Sequence, residues 1–167
     1  MIRVCFHGAE STGKSVLAEQ LGYPWVPEYG RQYAEEHGTD FTMADLLAIA
    51  AGQDAAIRAA AAGDHEVLIL DTDPLMTAAW AQMLFGQVPE ALLAYPKAEL
   101  YLLFEPDVPW VADGTRFFGT AEERATFAAV AEEVLVRAGV RFERISADWA
   151  TRERSVRDAI SRVLRSR

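Results

Sequence analysis

The most constraining stretch of this chain is Gly8-Ala9-Glu10-Ser11-Thr12-Gly13-Lys14-Ser15. It satisfies G-x-x-x-x-G-K-[ST] and follows directly on an apolar run at residues 2–7. Glycines at both ends allow positive φ, so successive backbone N–H groups can turn inward around an anion. The helix expected from about residue 15 aims its positive dipole end at the same point. In this pattern Lys14 reaches the β- and γ-phosphates of ATP, and Ser15 gives a hydroxyl to Mg²⁺. Gly8, Glu10, Ser11, Thr12, Gly13 and Val16 complete the expected nucleotide contacts.

The rest of the chain predicts strands alternating with helices. Strands are expected at residues 2–7, 25–27, 67–70, 100–104 and 142–146. Helices are expected at 15–21, 31–37, 42–62, from Pro74 onward, from Thr120 to Gly139, and at about 150–164. Thr42 with Asp45, and Thr120 with Glu123, sit at the spacing of helix-opening capping boxes. Such alternation implies βαβ units, hence a three-layer α/β P-loop kinase fold with a five-stranded, mostly parallel sheet. No repeat or linker interrupts it, so residues 1–167 are expected to form one domain. Residues 105–124, rich in charge with glycine and proline, are expected to form a lid.

Composition narrows the partners. A net charge of −9 argues against a broad nucleic-acid surface, which would need basic patches. Only two lysines occur, and one of them is Lys14. Six arginines crowd residues 152–167 and are expected on a solvated helix face. The lone cysteine, Cys5, leaves no internal disulfide and fits a reducing, cytoplasmic compartment. No apolar run approaches bilayer length, so membrane insertion is not expected. Homo-oligomerisation stays open.

Asp71 and Asp73 close the third strand, where P-loop enzymes hold Mg²⁺; Asp71 binds it directly or through water. An Asn-Lys-x-Asp guanine motif is missing, which favours a small-molecule kinase. Arg116 and Arg124 sit in the lid segment, where their planar forks could close on the transferring phosphate. Lid closure would also exclude water as a competing acceptor.

Beyond the phosphate loop, three elements are distinctive: Val26-Pro27-Glu28-Tyr29-Gly30-Arg31, Asp71-Thr72-Asp73, and Trp110-Val111-Ala112-Asp113-Gly114-Thr115-Arg116. With the loop, in this order and spacing, they resemble the ribosylnicotinamide kinase domain of NadR-type proteins over roughly residues 6–127. The resemblance implies an ATP-dependent kinase that phosphorylates the 5′-hydroxyl of nicotinamide riboside to give nicotinamide mononucleotide. Full-length members can also carry adenylyltransferase and DNA-binding domains, for which 167 residues leave no room. Ala112 stands where a second acid beside Asp113 is expected.

Nicotinamide riboside carries a pyridinium charge, so its site should offer aromatic faces and carboxylates. Tyr29, Trp110 and Asp113 are the candidates, with Arg31 as a ribose or phosphate clamp, Asp73 as a further substrate contact and Gln53 for the carboxamide. Trp25 and Trp80 are expected in the core. Glu28, at the carboxyl edge of the sheet, is the expected general base, with Asp71 or Asp73 as the alternative. Two other readings are a kinase for a different nucleoside and a non-catalytic ATP-binding regulatory module.

Overall fold

The computed structural model describes residues 1–112 and 117–166, so Asp113 and Arg116 lie outside the described residues. Three apolar runs form the centre of a sheet: β1 (Ile2–Gly8), β3 (Val67–Asp71) and β4 (Leu100–Phe104). Two short strands, β2 (Trp25–Val26) and β5 (Phe142–Ile145), flank them. The spatial order is β2-β3-β1-β4-β5 and every pairing is parallel.

Side chains alternate across a strand, so each central run serves two cores. Ile2, Val4 and Phe6 face one side, where they pack with α1 (Lys14–Gln20) and α7 (Trp149–Arg165). Cys5, Leu68, Leu70, Tyr101 and Leu103 face the other, against α3 (Met43–Ala61), α4 (Pro74–Phe85) and α6 (Ala121–Arg137). α2 (Tyr29–His37) rests on α3, where the Tyr33 hydroxyl donates to Asp45 at 2.6 Å. Burying one Leu, Ile or Phe contributes about 1.5–3 kcal/mol, which is why a fully parallel sheet needs both faces covered. Both capping boxes form, at Thr42–Asp45 and at Thr120–Glu123.

Three details depart from the sequence expectation. α2 begins at Tyr29, two residues early, because the Gln53 side chain accepts the Tyr29 N–H at 2.7 Å and satisfies that helix end. The last four residues of the stretch expected as a lid, Ala121 to Arg124, form the first turn of α6. A single turn, α5 (Glu90–Leu93), is too short to leave a periodic signal.

The C-terminal arginines split. Arg154, Arg157, Arg162 and Arg165 are exposed, as a solvated face requires, but Arg152 is 1% exposed. Its guanidinium donates to the carbonyls of Ala147 (2.9 Å), Thr12 (3.2 Å) and Glu105 (2.8 Å), and pairs with Asp107. One side chain thus ties the phosphate loop to the ends of β4 and β5. Removing one partner of a buried ion pair costs roughly 3–5 kcal/mol. Because Asp107 stays 41% exposed, Arg152→Met is expected to cost about 2–3 kcal/mol, read as a lower urea midpoint with unchanged slope.

Candidate active site

β1 delivers the chain into the glycine loop at the carboxyl edge of the sheet. Gly8 and Gly13 hold φ of +125° and +84°, and Ser11 also turns positive at +56°. A Cβ on Gly8 would stand 2.5 Å from the Phe104 carbonyl oxygen, so that position admits no side chain. Lys14 reaches back across the loop and donates to the carbonyls of Gly8 (3.0 Å) and Ala9 (2.7 Å). The Thr12 hydroxyl donates to Ala9 at 2.9 Å and closes the turn.

Beside the loop, β3 ends in Asp71, which is 1% exposed and hydrogen-bonded to the Ser15 side chain. Burial raises its carboxyl pKa, while Ser15, Lys14 and Arg31 pull the other way. Its Oδ1 is buried without a partner. Thr72 follows with φ of +77°, rare for a β-branched residue, and its side lines the groove. Strain of this kind gathers at functional sites.

Two connected spaces open above these groups. The first follows the loop from Gly8 to Val16 and is bounded by Glu28, Arg31 and Trp80. The second shares Glu10, Glu28, Arg31 and Trp80 with it and adds Phe41, Phe117 and Gln53. Trp80 meets Phe117 edge-on with ring centroids 5.3 Å apart, and Phe41 lies 6.0 Å from Phe117. Glu28, the residue before α2, stands in the wall common to both spaces. Desolvation pushes its carboxyl up to about 7, the Asp71 charge adds to the rise, and Lys14 and Arg31 oppose it. Few carboxylates titrate so near neutrality.

The other sequence candidates are placed differently. Gln53 lies in the second space, but its amide is engaged by the Tyr29 N–H and the Pro27 carbonyl. Tyr29 packs its ring over Gly52 and lines neither space, facing instead a groove with Glu28, Arg31, Glu35 and Ala56. Asp73 caps α4 through Leu75 (2.9 Å) and accepts the Tyr101 hydroxyl; burial raises its carboxyl to about 6. Trp110 lies against Gly119 with its indole N–H buried and unpartnered. Arg124 points Nε and Nη2 into buried space without a partner, and its pKa is lowered by desolvation and by Arg152.

Sequence reading missed the aromatic walls. Trp80, expected in the core, packs on Phe127 and lines both spaces, while Phe41 and Phe117 come from loops. The Phe117-Phe118 pair in a polar segment was the one available signal. Two residues of the segment after β4 bond the phosphate loop: Val111 N–H donates to the Ser11 hydroxyl (2.8 Å) and Phe117 N–H to Glu10 (2.9 Å).

A parallel sheet with a phosphate loop after its first strand and a buried acid closing the neighbouring strand defines a P-loop domain of the kinase fold. The chain belongs to the AAA domain family, whose profile matches residues 3–152. It is 32% identical to the trifunctional NAD biosynthesis/regulator protein NadR of Escherichia coli, over 85% of this chain and 37% of that protein. The NadR of Salmonella typhimurium is likewise 32% identical, over 83% and 37%. The chain therefore spans little more than a third of these relatives. Among solved structures, a NadR protein in complex with NR superposes with a TM-score of 0.76 at 22% identity, covering 95% of this chain and 50% of that one. A deoxyadenosine kinase from M. mycoides gives 0.65 at 14%, covering 96% and 99%. No helix among the described residues is long and apolar enough to cross a membrane.

Proposed function

We propose that the chain is a cytoplasmic, ATP-dependent kinase that phosphorylates the 5′-hydroxyl of nicotinamide riboside, giving nicotinamide mononucleotide. One observation carries this reading: a carboxyl held near pH 7, Glu28, stands where the phosphate groove meets an aromatic space. A group of that pKa accepts a proton from a hydroxyl as the bond to phosphorus forms. The acids Glu10 and Glu28 with Phe41, Trp80 and Phe117 suit a planar cation better than a neutral base. The NadR relatives named for NAD biosynthesis support the same substrate class.

Main-chain N–H groups of residues 8–15 hold the phosphates, and Lys14 moves from the Gly8 and Ala9 carbonyls onto them. The metal site is consistent with Mg²⁺. Ser15 and Asp71 are hydrogen-bonded and Asp71 Oδ1 lacks a partner, as expected for an oxygen that meets the ion or its water. Bound there, Mg²⁺ would neutralise charge on the phosphates. Arg31 draws Glu28 toward its charged form and reaches the shared wall. The aromatic space has a volume of about 50 Å³, room for a few waters.

Arg124, in the first turn of α6, is assigned to the transferring phosphate as an added positive charge. Its unpartnered nitrogens make Arg124→Ala nearly neutral for thermal stability, while a lost charged hydrogen bond lowers kcat roughly ten- to a hundredfold. A melting curve and a rate measurement at saturating substrates check both. The substrate itself is tested by incubating the protein with Mg-ATP and a panel of nucleosides. Turnover of nicotinamide riboside well above the rest is expected; fast turnover of another nucleoside with none of this one rejects the assignment.

A further inference from the structure

His7 directly precedes the first glycine of the phosphate loop and is fully buried, where an apolar side chain would leave no hydrogen bond unmet. Burial holds its imidazole pKa down to about 3, with the Lys14 charge adding to the fall and the Ala131 carbonyl opposing it. The ring is therefore neutral at ordinary pH. Its Nε2 lies 3.0 Å from the Ala131 carbonyl of α6. A carbonyl oxygen only accepts, so Nε2 carries the proton, and Nδ1 is a lone pair buried without a partner. The Tyr101 ring meets the imidazole edge-on, with centroids 6.2 Å apart, and its own hydroxyl is held by Asp73.

The far end of this bond matters because of what else α6 carries. Arg124 and Ala131 stand about two turns apart, so they share one stripe of the helix, roughly 10 Å from each other along its axis. The same stripe sends Phe127, Val134 and Leu135 into the apolar core. Arg124 takes its first turn, with Nε and Nη2 buried and unpartnered. Desolvation and then the charge of Arg152 lower the Arg124 pKa, and Arg152 itself bonds the Thr12 carbonyl of the loop. Arg124 is thus within electrostatic reach of the phosphate loop. Apolar packing is non-directional and lets a helix slide along its neighbours; a bond to one particular carbonyl does not.

We propose that His7 is a positioning residue: its Nε2–H latches α6 at Ala131 to the strand that carries the phosphate loop, and so sets how far Arg124 stands from the transferring phosphate. This rests on the reading of Arg124 as a phosphate-directed charge. The latch also accounts for a polar ring one residue before the loop, kept there although its Nδ1 goes unmet.

A double-mutant cycle tests it. His7→Phe keeps a buried ring and removes the donor, whereas His7→Gln keeps an N–H at nearly the same reach. Each is made alone and with Arg124→Ala, and kcat and KM are measured with Mg-ATP and the nucleoside that the unaltered protein turns over fastest. His7→Phe is expected to lower kcat about tenfold, since misplacing a reacting group by about 1 Å can cost about 10²-fold. KM for both substrates should stay within about twofold, and His7→Gln should recover kcat to within about threefold of the parent. In the Arg124→Ala background, His7→Phe should change kcat by less than about twofold, because no charge is left to position. A histidine that only stabilises the fold would lower kcat by the same factor in both backgrounds. That result, or a single variant as fast as the parent, overturns the proposal. Should His7→Phe fail to fold, His7→Leu, smaller and also without a donor, takes its place in the cycle. If Arg124→Ala itself runs at the parent rate, the role of Arg124 falls and the latch with it. If Arg124→Ala is slow but the cycle is additive, Arg124 keeps its role and the latch alone falls. Turnover of a nucleoside other than nicotinamide riboside rejects that substrate, and the same cycle then decides the latch with the nucleoside accepted.

Discussion

Lys14→Ala is expected to lose about 1000-fold in kcat/KM for ATP, with a melting temperature within a few degrees of the parent. The rate effect follows from removing a charge aimed where negative charge develops; losing even one neutral donor there costs about 10²–10³. The small stability effect follows from what the lysine does in the folded chain. Its ammonium is buried and donates to the Gly8 and Ala9 carbonyls, but it lines the phosphate groove, onto which the space left by a shorter side chain would open. Steady-state kinetics beside a thermal melt decide the matter, and activity within tenfold of the parent would remove Lys14 from the machinery.

Glu28→Gln is the second large effect, and its two readouts move in opposite directions. As a general base Glu28 should contribute at least about 100-fold to kcat, so the amide loses that much. With its carboxyl at about 7 in the unliganded chain, the parent's kcat/KM should climb about tenfold per unit as pH rises toward 7 and level off above. The amide has nothing to ionise, so its profile should be flat across that window. Stability runs the other way. The folded chain raises this pKa above its unfolded value of 4.5, so it binds the proton more tightly than the unfolded chain does. Relative stability is thus greatest below about 4.5 and is lost as pH rises to 7. Substitution by glutamine should restore on the order of 1–3 kcal/mol at pH 8. A urea titration at pH 5 and pH 8 measures it; a variant both slower and less stable at pH 8 would mark Glu28 as structural.

Asp71 separates from Glu28 in the same terms. It is hydrogen-bonded to Ser15 and nearly sealed from solvent, whereas Glu28 opens on both spaces. This division favours Asp71 for the metal side and Glu28 for the hydroxyl. Asp73 is committed to α4 and Tyr101, which leaves it a scaffold for the pair.

Local chemistry made the five strands, both capping boxes and the phosphate loop legible from the sequence alone. Each depends on residues a few positions apart: the alternation that sends Val4 and Cys5 to opposite cores, the reach from Thr42 to Asp45, the spacing from Gly8 to Lys14. Contacts between distant segments were decided only in the tertiary structure. Gln53 moved the start of α2 from 24 positions away, and Phe41, Trp80 and Phe117 met as one aromatic wall from three elements. Arg152, in a run of otherwise solvated arginines, went inside because the Thr12, Glu105 and Ala147 carbonyls converge on that point. The physical reason is range: periodicity and caps act within a turn or a pleat, whereas desolvation and ring packing depend on whichever segments the sheet order brings together.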